Sequence, residues 1–244
     1  LGLLLILFLF GTIIYLAFKS NKIAEQNKLW AGMAKETAHQ IGTPLSSLLG
    51  WVELLRMENT DELTVTEIEK DVARLNTIAD RFSKIGSVPK LTKHDIIEET
   101  KTAFDYISSR SFKQIEFFFT TDEQKTIDVN LNLQLYSWVI ENLVKNAIDA
   151  MQGRGTIEIH VAQENTNAVV TISDTGKGIP KRLHKKIFEP GFTTRRRGWG
   201  LGLSLTKRII NDYHKGKIYV KRSEVGKGTT FMILLKIAEE GSTA

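Results

Sequence analysis

The chain has 244 residues, 42% of them apolar and 25% charged, with a formal net charge of +5 and no cysteine. This is ordinary for a globular protein of one large or two modest domains, and it excludes a disulfide framework. The basic excess gathers late, at Lys181, Arg182, Lys185, Lys186, Arg195, Arg196, Arg197, Lys207 and Arg208. No nucleic-acid recognition motif accompanies it, so it reads as a solvated face.

Residues 1–18, LGLLLILFLFGTIIYLAF, carry no charge and as a helix would span about 27 Å, enough for a bilayer core. The run is long for a signal peptide and no small-residue cleavage site follows it. A buried core helix so uniformly apolar would need a shell on every side. A transmembrane helix over 1–18 is expected, and Lys19, Lys22 and Lys28 place the rest of the chain in the cytoplasm. Because the apolar run starts at once and the first residue is leucine, the chain is expected to be a fragment with an upstream sensing part missing.

Residues 19–88 carry a different pattern. Ala31, Ala34, Ala38, Ile41, Leu45, Leu48, Val52 and Leu55 follow one another at alternating steps of three and four, a heptad seam. MENTDEL (57–63) breaks it, and Ile68, Val72, Leu75, Ala79 and Phe82 resume it. This predicts an antiparallel helical hairpin. A lone hairpin covers only one stripe, so a homodimeric four-helix bundle is expected. Pro44 sits inside the first helix and deprives the Gln40 carbonyl of its partner, which predicts a bend just after His39. His39 lies one step past Ala38, off the apolar seam and open to solvent. Glu36 and Thr43 flank it one turn away on either side.

GSVPK (86–90) reads as a linker, after which the composition changes. From residue 89 the patterns predict a helix at 94–110, strands in KQIEFFFT and TIDVN, and a strong helix in LQLYSWVIENLVKNAIDAM. Strands follow in GTIEIHVAQE and AVVTISD, then a glycine-rich stretch (174–202), a helix to about Tyr213, and strands in KIYVKR and TTFMILLKI. The whole is an α+β multidomain chain whose C-terminal part, 89–244, is an α/β layer with a mainly antiparallel sheet.

Three groups in that part carry chemistry. Asn142 and Asn146 lie four apart on one helix face, where amide oxygens suit a hard cation such as Mg²⁺. In DTGKGIP (174–180), Asp174 ends a strand and Gly176 and Gly178 let backbone approach a ligand; a buried carboxylate there can accept from an exocyclic amine. In GWGLGLSLTKRII (198–210), Gly198, Gly200 and Gly202 lead into a helix whose first amides attract phosphate. No Walker A loop is present.

These stretches resemble the sensor histidine kinases. HQIGTP is similar to their phosphoacceptor box, NLVKNA to the N box, DTGKGIP to the G1 box, FEPGFTT (188–194) to the F box and GWGLGL to the G2 box; the resemblance runs from about residue 22 to 238. It implies a Bergerat-type ATP-binding domain in 89–244 and a bacterial chain held in the inner membrane. By this resemblance His39 takes the γ-phosphoryl of ATP, while Asn146 and Asn142 bind Mg²⁺ and phosphates. Asp174 receives the adenine amino group, and Gly176 and Gly178 shape the pocket. Gly198, Gly200 and Gly202, with Leu201 between them, hinge a lid that includes Phe188, Phe192 and the arginines from Arg195. Thr229 lines the adenine end. The implied cofactors are ATP and Mg²⁺. The implied partners are a second copy of the chain, the membrane and the receiver domain of a response regulator; no nucleic acid is implied.

One position departs from the family, which usually has Glu or Asp directly after the histidine. Here it is Gln40, which cannot ionise. Either Glu36 substitutes, water suffices, or phosphorylation is slow; general-base help is worth ~10²–10⁴-fold. Thr43 occupies the place linked in the family to dephosphorylation of the regulator. Only about 20 residues, or ~30 Å of helix, separate the apolar run from His39, so a continuous helix is the expected coupler. Three rival readings remain. A gyrase-type ATPase would have Glu at position 142. A degenerate kinase would only dimerise and scaffold. A kinase of hydroxyl side chains would share the nucleotide fold.

Overall fold

The computed structural model describes residues 2–57, 61–85, 89–111, 114–122, 126–194 and 200–238, without the side chains of 19, 21–43, 74 and 77–85. The chain divides into two compact units, Leu1–Pro89 and Lys90–Ala244.

The first unit is two helices, α1 (Gly2–Met57) and α2 (Glu62–Ile85). Helical structure in α1 continues through Pro44, so the bend expected there does not interrupt it; the proline removes one ladder donor. Asp61 starts α2 by accepting from the Thr64 amide at 3.1 Å and its hydroxyl at 2.8 Å. The helices meet through buried Leu45, Val52, Val65 and Val72, with Leu55 and Ile68 beside them, and Arg56 bridges to Glu69 at 2.7 Å. Two seam positions, Leu48 and Leu75, are 40% and 43% exposed in the single chain. Among the described residues no helix is long and apolar enough to cross a membrane. The uncharged run of α1 with described side chains is Gly2–Phe18, exposed throughout except at Thr12.

The second unit layers three helices on one face of a sheet. Its strands are β1 (Thr92–Asp95), β2 (Ile115–Thr121), β3 (Asp128–Leu131), β4 (Gly155–Glu164), β5 (Asn167–Asp174), β6 (Lys217–Glu224) and β7 (Gly228–Lys236). The main sheet has the order β2-β4-β5-β7-β6, antiparallel except for the β2–β4 pair; β1 and β3 form a separate two-stranded ladder. Parallel β2 and β4 are joined by a crossover that contains α4 (Leu133–Ala150). α4 buries Leu135, Tyr136, Val139, Ile140, Leu143, Val144 and Ala147, a stripe of the right period to cover the sheet. The sheet answers with Ile157, Ile159 and Val161 of β4, Val170 and Ile172 of β5, and Phe231 and Ile233 of β7. α3 (Ile96–Ser108) packs beside α4, where the buried hydroxyls of Thr100 and Tyr136 lie 2.6 Å apart.

α5 (Gly202–Arg208) runs into a π-helical turn, Ile209–Tyr213, that ends at His214. His214 is buried; its Nε2 accepts the Asn132 amide at 3.0 Å and its Nδ1 donates to the Ile209 carbonyl at 2.8 Å. Only the neutral imidazole serves both bonds, since an amide can only donate. Burial lowers its pKa below the ordinary 6.5, against the opposing effect of the Ile209 carbonyl. The unfolded chain therefore binds the proton more readily. The stabilising contribution is whole above pH 6.5 and is lost as pH falls below it toward the folded value. The melting temperature of residues 90–244 should therefore drop more steeply between about pH 7.5 and about pH 5.5 than that of His214→Gln, whose amide does not titrate. Equal slopes in a thermal melt series would refute this.

Candidate functional site

The site is assembled along one stripe of α4. Asn142, Asn146 and Ala150 follow one another at intervals of four, hence on one face, over about 12 Å. At one end, Asn142 meets the start of α5: its Nδ2 donates to Thr206 Oγ1 at 2.7 Å, and a Cβ added to Gly202 would fall 2.5 Å from its Oδ1. Only glycine fits at 202 without displacing that amide. At the other end, Ala150 meets the loop after β5. Its carbonyl accepts from the Lys177 amide at 3.1 Å, and a Cβ on Gly176 would lie 2.8 Å from it. Asn146, half-buried, sits midway between the two contacts.

Asp174 closes β5, 9% exposed. Its Oδ1 accepts the Gly176 amide at 2.8 Å, and the Thr229 amide bonds the same carboxylate. Burial pushes its pKa above the ordinary 3.8, and those two amides pull in the opposite direction. Thr229, buried, is the register partner of Asp174 on β7, and its hydroxyl lies 2.9 Å from Ser223 Oγ. Gly178 has φ +67° and faces the Glu224 carbonyl so closely that a Cβ would meet it at 2.0 Å. The loop 175–180 is thus held between α4 and the β6–β7 turn.

The segment before α5 is pinned at its far edge. Gly200, φ +64°, accepts the Gly191 amide at 3.1 Å, and a Cβ on it would come within 2.4 Å of the Gly191 carbonyl carbon. The carbonyl of Leu201 accepts from the Leu205 amide and the Ser204 hydroxyl, both at 2.9 Å. α5 has no side-chain cap. Phe192 is half-buried, with Lys186 Nζ 5.7 Å from its ring. Phe188 is buried, edge-on to Phe231 with the rings 6.2 Å apart. Arg195 and Gly198 lie outside the described residues. So do the side chains of Glu36, His39, Gln40 and Thr43, although their backbone belongs to α1. Sequence reasoning missed Thr206, Gly228 and Ser223; the close approaches that single them out arise only when β5, β7 and α5 are brought together.

Among the described residues no group of three or more His, Asp or Glu side chains can hold a metal. Amide oxygens are what the stripe offers, which suits a hard cation that shares its shell with waters and phosphates.

Residues 133–239 match the family described as histidine kinase-, DNA gyrase B-, and HSP90-like ATPase. The signal transduction histidine-protein kinase AtoS of Escherichia coli (strain K12) is 30% identical over 92% of this chain and 37% of its own length. Sporulation kinase C of Bacillus subtilis (strain 168) is 28% identical over 92% of this chain and 52% of its own. The chain thus spans about a third to a half of these two relatives. Among solved structures, the catalytic domain of histidine kinase ThkA is 33% identical with a TM-score of 0.56, covering 61% of this chain and 97% of that domain. ThkA in complex with the response regulator protein TrrA gives 27% identity and a TM-score of 0.59 over 93% of this chain and 68% of that one. The buried aspartate, the asparagine stripe and the two glycine loops therefore belong to an ATP-binding domain of known kind, and the chain belongs to the histidine kinases.

Proposed function

We propose that this chain is the phosphoacceptor and catalytic part of a two-component kinase that moves the γ-phosphoryl of ATP to His39 and then to an aspartate of a response regulator. The observation that carries this is the stripe on α4. A buried carboxylate lies beside one end, with the amide of Asn146 midway and that of Asn142 at the other end, on the length scale of a nucleoside triphosphate. Asp174 accepts from the adenine amino group. The glycines at 176 and 178 let the base lie against backbone, and the uncapped start of α5 faces the phosphates. Asn142 and Asn146 would hold Mg²⁺ together with phosphate oxygens; it supplies charge neutralisation there. In the transfer an imidazole nitrogen of His39 bonds to the γ-phosphorus, the bond to the β–γ bridging oxygen breaks, and ADP leaves. The imidazole proton passes to water or to Glu36, since Gln40 cannot accept it.

ThkA's solved complex with a response regulator supports the choice of partner. Exposure of Leu48 and Leu75 beside the buried Leu45, Val52 and Val72 supports a second copy packing there to complete a four-helix bundle, which light scattering of residues 22–244 tests. The apolar, outward-facing surface of Gly2–Phe18 supports anchoring in a bacterial inner membrane with the remainder cytoplasmic, which membrane fractionation tests. The kinase reading is tested by incubating residues 22–244 with γ-labelled ATP and Mg²⁺. The expected product is an acid-labile, alkali-stable label that His39→Gln abolishes. Label that survives acid, or persists in the variant, would sink it.

A further inference from the structure

We propose that Thr206 is a positioning residue for this site: its buried hydroxyl fixes which way the amide of Asn142 points. The inference rests on the reading of Asn142 as a metal-side ligand. Thr206 is 1% exposed. Its Oγ1 donates to the Gly202 carbonyl one turn back at 3.0 Å and lies 2.7 Å from the Asn142 amide. A hydroxyl has one proton. With that proton on Gly202, Thr206 can only accept, and Asn142 must turn its NH₂ toward it. The reversed amide would set two carbonyl-type oxygens competing for a single proton where Thr206 is closed to water, and one bond would go unmade.

The consequence lies on the other side of the amide. With Nδ2 held by Thr206, Oδ1 faces the backbone of Gly202, 2.5 Å from where a Cβ would stand. An amide oxygen can ligate a hard cation; an amide NH₂ cannot. Thr206 thus selects the cation-binding orientation of Asn142 before any nucleotide arrives. Pre-setting an orientation in this way lowers the cost of binding. The residue is invisible in the sequence, where it reads as one more helical position after the glycines, and only the antiparallel run of α5 along the first half of α4 brings it to Asn142.

The C-terminal unit, residues 90–244, has its own core and suits the test. A fluorescent ATP analogue is bound at rising Mg²⁺ and, separately, in EDTA. Thr206→Val keeps the shape and removes the acceptor. It should raise the Mg²⁺ concentration for half-maximal tight binding roughly 3- to 10-fold, the worth of one net hydrogen bond. Affinity in EDTA should not change, and Thr206→Ser should restore the wild-type requirement. A Thr206→Val protein with the wild-type Mg²⁺ requirement overturns the proposal. So does one that loses nucleotide equally with and without metal, which marks a merely structural role. If the valine variant melts well below wild type, Thr206→Ala is read in its place against the same outcomes. Asn142→Ala separates the two readings. If it leaves the Mg²⁺ requirement unchanged, Asn142 is no metal ligand and the parent reading falls. If it raises the requirement while Thr206→Val does not, only the role of Thr206 falls.

Discussion

Asp174→Ala should weaken ATP binding to residues 90–244 on the order of 100-fold while leaving the domain folded. The carboxylate is nearly buried and already takes two backbone amides, from Gly176 and Thr229. Its remaining lone pairs are what the site offers an exocyclic amine. A hydrogen bond to a charged group is worth about 1.5–3 kcal/mol, roughly 10- to 150-fold in affinity. The same substitution leaves the Gly176 amide without its acceptor, which loosens the loop that has to approach the base. Asp174→Asn keeps the shape and one acceptor, so it should lose less, about 10-fold. Because burial raises the pKa of Asp174 above 3.8, affinity should begin to fall on acidification before ordinary aspartates titrate. Nucleotide titrations of the two variants decide the matter. Affinity within about threefold of wild type for the alanine variant, a difference smaller than one net hydrogen bond, would remove Asp174 from the site.

Gly228→Ala should destabilise the C-terminal unit by about 4 kcal/mol, adding backbone strain to a steric clash. Gly228 has φ +114°, and a Cβ there would lie 1.8 Å from the Asp174 carbonyl oxygen and 2.8 Å from its carbon. β5 and β7 pair at Asp174 and Thr229, so the strands cannot part to make room without breaking the ladder that holds the carboxylate. For a domain of this size the melting temperature should fall by roughly 10–15 °C. Gly226 is the matched control. It too has positive φ, +80°, but nothing lies within 4 Å of an added Cβ, so Gly226→Ala should cost only the strain, about 1 kcal/mol. Calorimetry of the pair checks this, and equal losses would mean that the close approach at 228 relaxes freely.

Periodicity carried most of the second unit's layout. α4 and β4 read clearly because each holds one pattern for many residues: three and four for the helix, two for the strand. β1 did not. Thr92–Asp95 is four polar or charged residues whose only claim to a strand is the ladder with β3, a long-range fact. Val65 was missed for a related reason. Its step of three to Ile68 continues the seam, but the threonines on either side hid it, and the structure buries it against α1. The site was legible as residue types, because glycines, asparagines and an aspartate at fixed spacing carry chemistry. Their partners were not. Thr206 and Gly228 act through elements far away in sequence, Asn142 of α4 and Asp174 of β5. The resemblance alone put Phe188 in the lid, and it says nothing of the contact with Phe231, which tertiary packing decides.

The π-helical turn after α5 has a mechanical outcome. The helical run Gly202–Tyr213 is tied to α4 and its cap at two places, Thr206 to Asn142 and His214 to Asn132, eight residues apart. A rod fastened twice along its length cannot swivel about either fastening. The run from Thr206 to His214 therefore keeps its direction against α4 as one piece.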